Sequence, residues 1–208
     1  RPRGGPPCAA RPFAVLRRVV ALALGGPDGV SGSVSGAGRD AAGAVTGERP
    51  SEIQRITWID AQGRFGSDKP DLRCGMELVE LTPVFSATGF NAFKAPCIKG
   101  ILVPGGGDFT RSRLDDLTDR AKRWGAKGLV WMRVKASESG GVELDSPVAK
   151  FCSDAERAGI VERTGAAVGD LVLIVADERP RARHVLGLLR LEVGRLPVNE
   201  GGLHFTWI

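Results

Sequence analysis

The densest group of polar side chains lies in the stretch GSDKPDLR, at residues 66–73. Five of its side chains are polar or charged: Ser67, Asp68, Lys69, Asp71 and Arg73. The ammonium of Lys69 and the guanidinium of Arg73 could together position a carboxylate or phosphate, with the guanidinium making a two-point contact. The alternative is a solvated turn around Pro70, in which the Asp side chains accept hydrogen bonds from nearby backbone amides. Composition alone favours the turn.

A second candidate is the glycine-rich string VPGGG, at residues 103–107, which precedes a predicted helix. Backbone amides at the positive end of a helix can bind phosphate. The string lacks the lysine of GxxxxGK[ST] and the spacing of GxGxxG. A tight turn between a strand and a helix is therefore the favoured interpretation.

The cysteines and histidines indicate no metal centre. The four cysteines are widely scattered and contain no CxxC pair: Cys8, Cys74, Cys97 and Cys152. This usage is typical of a reducing compartment. The only histidines are His184 and His204, so neither a zinc site nor a Ser/His/Asp or Cys/His set is predicted. We expect His184 to be a surface or core-edge residue of a helix.

Three amphipathic helices are predicted to position these residues. The first is capped near Thr110, has apolar residues at spacings of three and four, and ends at Gly125. The second begins at Ser153 with Glu156 three residues on, as in a capping box, and ends near Gly165. The third follows the start signal of Pro180 and ends near residue 194.

Strands are predicted from short runs of apolar residues, at residues 78–81, 98–103, 128–135 and 170–176. Helices follow the second, third and fourth runs. The fold class is therefore α+β: a mixed or antiparallel sheet flanked by helices, with the strand order left open.

Composition separates the first quarter of the chain from the rest. Of 208 residues, the first 50 contain ten Gly, six Pro, seven Arg and no Lys, and carry a net charge of +4 out of the total of +5. Gly25–Glu48 has almost no large apolar residue, which predicts disorder. The basic pI of 9.3 is therefore weak evidence for a nucleic-acid-binding face.

Export and membrane insertion are both disfavoured. Arg17 and Arg18 precede an apolar run, as in some export signals, but that run, Val19–Leu24, is shorter than a signal core of roughly 7–15 residues. No run approaches the ~18 apolar residues of a spanning helix.

Several strings together resemble bacterial-type aspartyl-tRNA synthetase, a class II enzyme, from about Gln54 to Ile208. They are GSDKPDLR at 66–73, VPGGG at 103–107, RAKRWGAKGLVW at 120–131, SPVAKF at 146–151, ERTGA at 162–166, GDLVLIVAD at 169–177 and LGLLRLEVGR at 186–195. The resemblance implies the inserted domain of that enzyme, shared with an amidotransferase B subunit. This domain lies between the second and third signature motifs of the catalytic domain.

The resemblance implies four segments. Residues 1–52 resemble nothing in the family and are predicted to be a low-complexity, disordered segment rich in Gly, Pro and Arg. Residues 53–76 correspond to a remnant of the catalytic core, residues 77–195 to the inserted α+β domain, and residues 196–208 to a truncated strand re-entering the core. Such a strand, with Phe205–Ile208 exposed, would leave unpaired backbone and an apolar edge, which predicts aggregation of the isolated chain.

The resemblance also implies chemistry and partners. The full-length family uses ATP and Mg²⁺ to form aspartyl-adenylate, then transfers aspartate to tRNA; it is cytoplasmic and homodimeric, and associates with neither membrane nor DNA. The motifs that bind ATP and aspartate have no matching residues here. We therefore expect neither catalytic residues nor a cofactor in this chain alone. Because the 66–73 loop adjoins the catalytic core in the family, its five polar residues are candidates for supporting the substrate or the tRNA end.

Two other interpretations stay open at this point. One is a stand-alone, non-catalytic module that binds tRNA or a partner protein through phosphate contacts and shape. The other is an incomplete, non-functional gene product.

Overall fold

A computed structural model describes residues 54–137, 141–194 and 206–208, together with Gly36, Arg39, Asp40 and Gly43, which are helical. The chain divides into two compact units, Arg1–Ile53 and Gln54–Ile208. The predicted disorder of residues 1–52 lies outside the described residues except at those four positions, so it stays a prediction.

The second unit contains both strands and helices. Its strands are β1 (Gln54–Arg55), β2 (Val79–Glu80), β3 (Cys97–Val103), β4 (Val130–Ala136), β5 (Val142–Asp145), β6 (Leu171–Asp177) and β7 (Thr206–Trp207). Its helices are α1 (Trp58–Phe65), α2 (Arg111–Arg123), α3 (Asp154–Thr164) and α4 (Arg179–Val193). Short 3₁₀ turns fill several of the connections.

Five strands form one antiparallel sheet in the order β2-β3-β6-β4-β5. The longest pairing joins β3 and β6 from Cys97↔Asp177 to Val103↔Leu171. The predicted α+β class is confirmed, and of the two predicted kinds of sheet, mixed or antiparallel, the structure has the antiparallel one. The four predicted strands and three predicted helices are also present. The predictions omitted α1, β5 and the two-residue strand β1, whereas β7 lies within the C-terminal strand that the resemblance implied at residues 196–208.

The central strand β6 divides the core into two layers. Leu171, Leu173 and Val175 face a cluster formed with α2 and α4, whereas Val172 and Ile174 face a second cluster formed with α3 and a phenylalanine-rich turn. All five side chains are fully buried. Because alternate residues of a strand point to opposite faces, an unbroken apolar run is what a strand covered on both faces requires.

The two short terminal strands form a parallel pair of their own. Gln54 pairs with Thr206 and Arg55 with Trp207, and the amide of Ile56 donates to the carbonyl of Trp207 at 2.9 Å. β1 therefore supplies a backbone partner along one edge of the C-terminal strand, and the predicted aggregation of the isolated chain stays a prediction.

Candidate functional site

The 66–73 loop begins where two backbones approach closely. Gly66 ends α1 with φ 69°, and a Cβ at this position would lie 2.1 Å from the carbonyl oxygen of Arg183 on α4. On the facing helix, a Cβ at Gly187 would lie 2.9 Å from the carbonyl oxygen of Gly66. Both positions require glycine for this reason. The close approach fixes the start of the loop against α4.

Within the loop, the structure joins Asp71 to Arg73. Asp71 caps a 3₁₀ turn by accepting from the Arg73 amide at 3.0 Å, and its carboxylate accepts from Arg73 Nε at 2.9 Å. These hydrogen bonds from Arg73, the side-chain bond foremost, hold the pKa of Asp71 below its usual range. The predicted anion-binding guanidinium therefore already has a carboxylate partner.

The remaining loop residues are more exposed. Ser67 Oγ accepts from the Lys69 amide at 3.0 Å. The side chains of Asp68 and Lys69 are exposed and form no ion pair within the described residues. Of the five candidate residues, the structure thus brings together two and leaves the Lys69 ammonium open to solvent.

A buried arginine from α4 anchors the loop. The side chain of Arg190 is 1% exposed. Its Nε donates to the carbonyls of Gly75 and Met76 at 3.0 Å each, and Nη2 donates to those of Gly75 at 2.8 Å and Asp71. The guanidinium also lies over the Phe65 ring at 4.9 Å. Sequence reasoning missed this residue, because no local motif marks an arginine whose partners lie more than a hundred residues away.

A second buried cation lies where β3 meets the end of α1. Lys99, 5% exposed, donates to the carbonyl of Gly63 at 3.0 Å and lies 3.6 Å from Glu80, which Arg179 contacts at 2.9 Å. Burial lowers the pKa of Lys99, although Glu80 opposes that effect. Since α1 leads directly into the 66–73 loop, the contact between Lys99 and Gly63 also holds the start of that loop in place.

The glycine-rich turn has little capacity for a phosphate. The amide of Gly105 donates to the Asp170 carboxylate at 2.9 Å, and that of Gly107 donates to the carbonyl of Gly169 at 2.8 Å. A Cβ at Gly107 would lie 2.7 Å from the same carbonyl oxygen. With two of its amides already donated to protein acceptors, the string forms the strand-to-helix turn that was favoured.

Asp177, at the end of β6, is a buried carboxylate with a structural role. It is fully buried and accepts from the amide of Glu178 at 2.8 Å, the amide of Lys127 at 3.3 Å and Nη1 of Arg181 at 3.0 Å. Burial opposes ionisation, but these donors lower the pKa of Asp177 overall.

Two thiols and one histidine lie among the described side chains. Cys97 and Cys152 are buried, and burial raises the pKa of both thiols. His184 is exposed on α4, whereas His204 lies outside the described residues. Among the described residues, no group of three or more His, Cys, Asp and Glu side chains could hold a metal ion. The helices of the described part are also too short or too polar to cross a membrane.

The inserted domain implied by the resemblance has a counterpart among known families. Residues 91–186, from the 3₁₀ turn before β3 to the middle of α4, match the GAD domain. The matched stretch includes all of strands β3, β4, β5 and β6 and the first half of α4.

Similarity to known proteins extends beyond residues 91–186 of this chain. The chain is 45% identical over 163 residues to an aspartate–tRNA(Asp/Asn) ligase of Arthrobacter sp. strain FB24, covering 77% of this chain and 27% of that protein. Ligases with the same name from Saccharopolyspora erythraea and Pseudarthrobacter chlorophenolicus are 44% and 48% identical over the same length. The predicted resemblance to aspartate–tRNA ligases is confirmed, and the chain spans about a quarter of the length of these relatives.

Proposed function

We propose that this GAD-domain chain is part of an aspartate–tRNA ligase, in which it supports the catalytic core and the bound tRNA instead of performing the chemistry. The observation that carries the proposal is the identity of 45% over 77% of the chain to a ligase of that name. In the proposed ligase, ATP and Mg²⁺ support aspartyl-adenylate formation through residues outside these 208, so the chain alone is inactive.

The ends of the folded unit support this role. β1 and β7 lie side by side as a parallel pair of only two residues each, and isolated two-stranded sheets are marginal in water. Leu72, at the end of the 66–73 loop, packs against the small cluster of Ile56, Ala61 and Phe65 beside this pair. The candidate loop and the paired ends therefore share one side of the unit, where a catalytic core would adjoin both.

Within the loop, we propose Lys69 as the residue that contacts substrate or the tRNA end. Its ammonium is exposed and unpaired within the described residues. Arg73 and Asp71 hold the loop conformation through their mutual ion pair, while Ser67 orients the Lys69 amide and Asp68 lies exposed beside it. The proposed partner is tRNA, and the proposed setting is a cytoplasmic homodimer acting without membrane or DNA.

A chimera tests the proposal. Residues 54–208 would replace the matching segment of the Arthrobacter ligase, and aspartylation of tRNA would be measured with ATP and Mg²⁺. We expect the chimera to charge tRNA and the 208-residue chain alone to give no ATP–pyrophosphate exchange. A chimera that melts cooperatively yet fails to charge tRNA contradicts the ligase role, and exchange by the chain alone contradicts its inactivity.

Two variants of the chimera test the loop. Lys69→Gln should raise the KM for tRNA or lower kcat, whereas Lys150→Gln, an exposed lysine elsewhere on the domain, should leave both unchanged. Equal effects of the two substitutions would show that Lys69 contributes only general surface charge and makes no specific contact. Sequencing the transcript on both sides of these 208 codons provides an independent check, because ligase motifs in frame are expected there.

A further inference from the structure

Three arginines and two aromatic rings form a cluster where α2 begins. Arg111 and Arg113 come from the first turn of α2 and Arg133 from β4. The guanidinium carbons of Arg111 and Arg133 lie 5.1 and 5.4 Å from the Trp131 ring centre, and that of Arg113 lies 3.8 Å from the ring centre of Phe109. The two guanidiniums on Trp131 are therefore at most about 10.5 Å apart, the sum of these two distances.

The charge of this cluster is mostly uncompensated. Arg111 pairs with Asp115 at 3.0 Å, in an exposed contact that contributes little to stability. Arg113 and Arg133 form no ion pair with a carboxylate among the described residues. Arg133 uses Nη2 to donate to the carbonyl of Phe109 at 2.7 Å, while its buried Nε has no hydrogen-bond partner there.

The position of two of these arginines works against helix stability. The first turn of α2 contains no acidic residue and carries Arg111 and Arg113, although the positive end of a helix favours Asp and Glu. Departures from such local rules are expected at functional positions. The other basic residues of α2, including Lys122 and Arg123, lie at its C-terminal end, where the helix dipole favours them.

We propose that this cluster, Arg111, Arg113 and Arg133 on Trp131 and Phe109, is a contact surface for the phosphate backbone of tRNA. The exposed guanidiniums of Arg111 and Arg113 can match phosphate with two parallel hydrogen bonds, and their contacts with the rings hold them in place before the RNA arrives. Arg133, whose Nε is buried, adds positive charge beside them. Such contacts position an RNA without reading its sequence. The inference rests on the proposed function, because the choice of tRNA over other polyanions follows from it.

Binding of a labelled tRNA(Asp) transcript to the full 208-residue chain tests the inference, measured by anisotropy from 50 to 200 mM salt. We expect Arg111→Gln/Arg113→Gln to weaken binding by at least about tenfold at 100 mM salt and to lower the slope of log K against log salt by about 2. Lys122→Gln/Arg123→Gln, an equal change of charge on two exposed residues of the same helix, should leave binding unchanged.

Thermal melting separates this effect from damage to the fold. The first-turn variant should melt close to the unsubstituted chain, because the removal of cations from the positive end of the helix offsets the loss of their ring contacts and of the exposed Arg111–Asp115 pair. The C-terminal control should melt slightly lower. Arg133→Lys provides a second variant that keeps the charge but lacks the planar fork, and it too should weaken binding.

Three results would overturn the inference: no tRNA binding by the unsubstituted chain at 50 mM salt, equal losses in the first-turn and C-terminal variants, or equal competition by polyglutamate, which would indicate an acidic protein partner. None of these depends on aspartylation by the chimera. Failure of the surface and failure of the proposed ligase role are therefore distinguishable.

Discussion

Replacing Arg190 by methionine should destabilise the folded unit strongly, because this side chain holds the 66–76 region to α4. Its guanidinium donates to three backbone carbonyls, those of Asp71, Gly75 and Met76. Hydrogen bonds to a charged group contribute about 1.5–3 kcal/mol each. The three carbonyls belong to partly buried residues, so water can replace part of the loss, and we expect about 3–5 kcal/mol in total, the usual cost of breaking a buried charged contact.

Urea unfolding followed by tryptophan fluorescence measures this change. With a slope near 2 kcal/mol per molar urea, the midpoint for Arg190→Met should fall by roughly 1.5–2.5 M. Arg190→Lys should fall by about half as much, since one ammonium cannot reach all three carbonyls. Arg179→Met, which removes a half-exposed ion pair from the same helix, should cost less than about 1 kcal/mol.

Hydrogen exchange tests whether the effect is local. The amide of Leu78 donates to the carbonyl of Arg64 at 2.7 Å, so its protection reports on how firmly the loop is closed. In Arg190→Lys this protection should fall more than that of amides in β6. A loss below 1 kcal/mol in Arg190→Met, or an unchanged exchange rate at Leu78, would refute the anchoring role.

Three further outcomes are expected. Gly107→Ala should lower the free energy of unfolding by about 1–3 kcal/mol, because its Cβ would meet the carbonyl of Gly169. Gly128→Ala, whose Cβ would meet nothing within 4 Å, should be near neutral, and urea unfolding of both variants measures the difference. Asp177→Asn should be most destabilising above about pH 4 and less so as the pH falls. The pKa of Asp177 is lower in the folded chain than in the unfolded chain, so the ionised carboxylate stabilises the fold at a pH above its unfolded-state pKa, and this stabilisation is lost when the carboxylate is protonated. A constant difference in stability between about pH 2 and 7 would contradict this. Ser153→Ala should cost about 1 kcal/mol through loss of the capping box, and a melting temperature equal to that of the unsubstituted chain would show that the cap contributes nothing.

Elements with a strong local signal were predictable. The capping box at Ser153 and Glu156 and the stop at Gly165 appear as predicted, because their hydrogen bonds close within a few residues. The unbroken apolar run of β6 likewise predicted a buried strand, which the structure shows. Strand order was not predictable, since pairing between β3 and β6 joins residues about 70–80 positions apart and local pattern carries no such information.

The missed elements lack the patterns on which sequence reasoning depends. α1 carries Trp58 and Ile59 at 60% and 69% exposure, so its apolar residues do not mark a single buried face. In the candidate loop, the composition predicted a turn held by Asp side chains, and Asp71 does cap such a turn. The burial of Arg190 was beyond prediction, because an arginine in an amphipathic helix is ordinarily exposed.

The parallel pairing of β1 with β7 brings the two ends of the folded unit together. About 150 residues separate Gln54 from Thr206, and bringing the ends of a flexible chain of that length together costs about 4 kcal/mol in entropy, by the (3/2)RT ln n relation. While the unit is folded, that cost has already been met, and the two strands are held in register. Local melting of the sheet would separate the two strands. Any partner that binds the β1–β7 pair therefore favours the folded state of the whole unit.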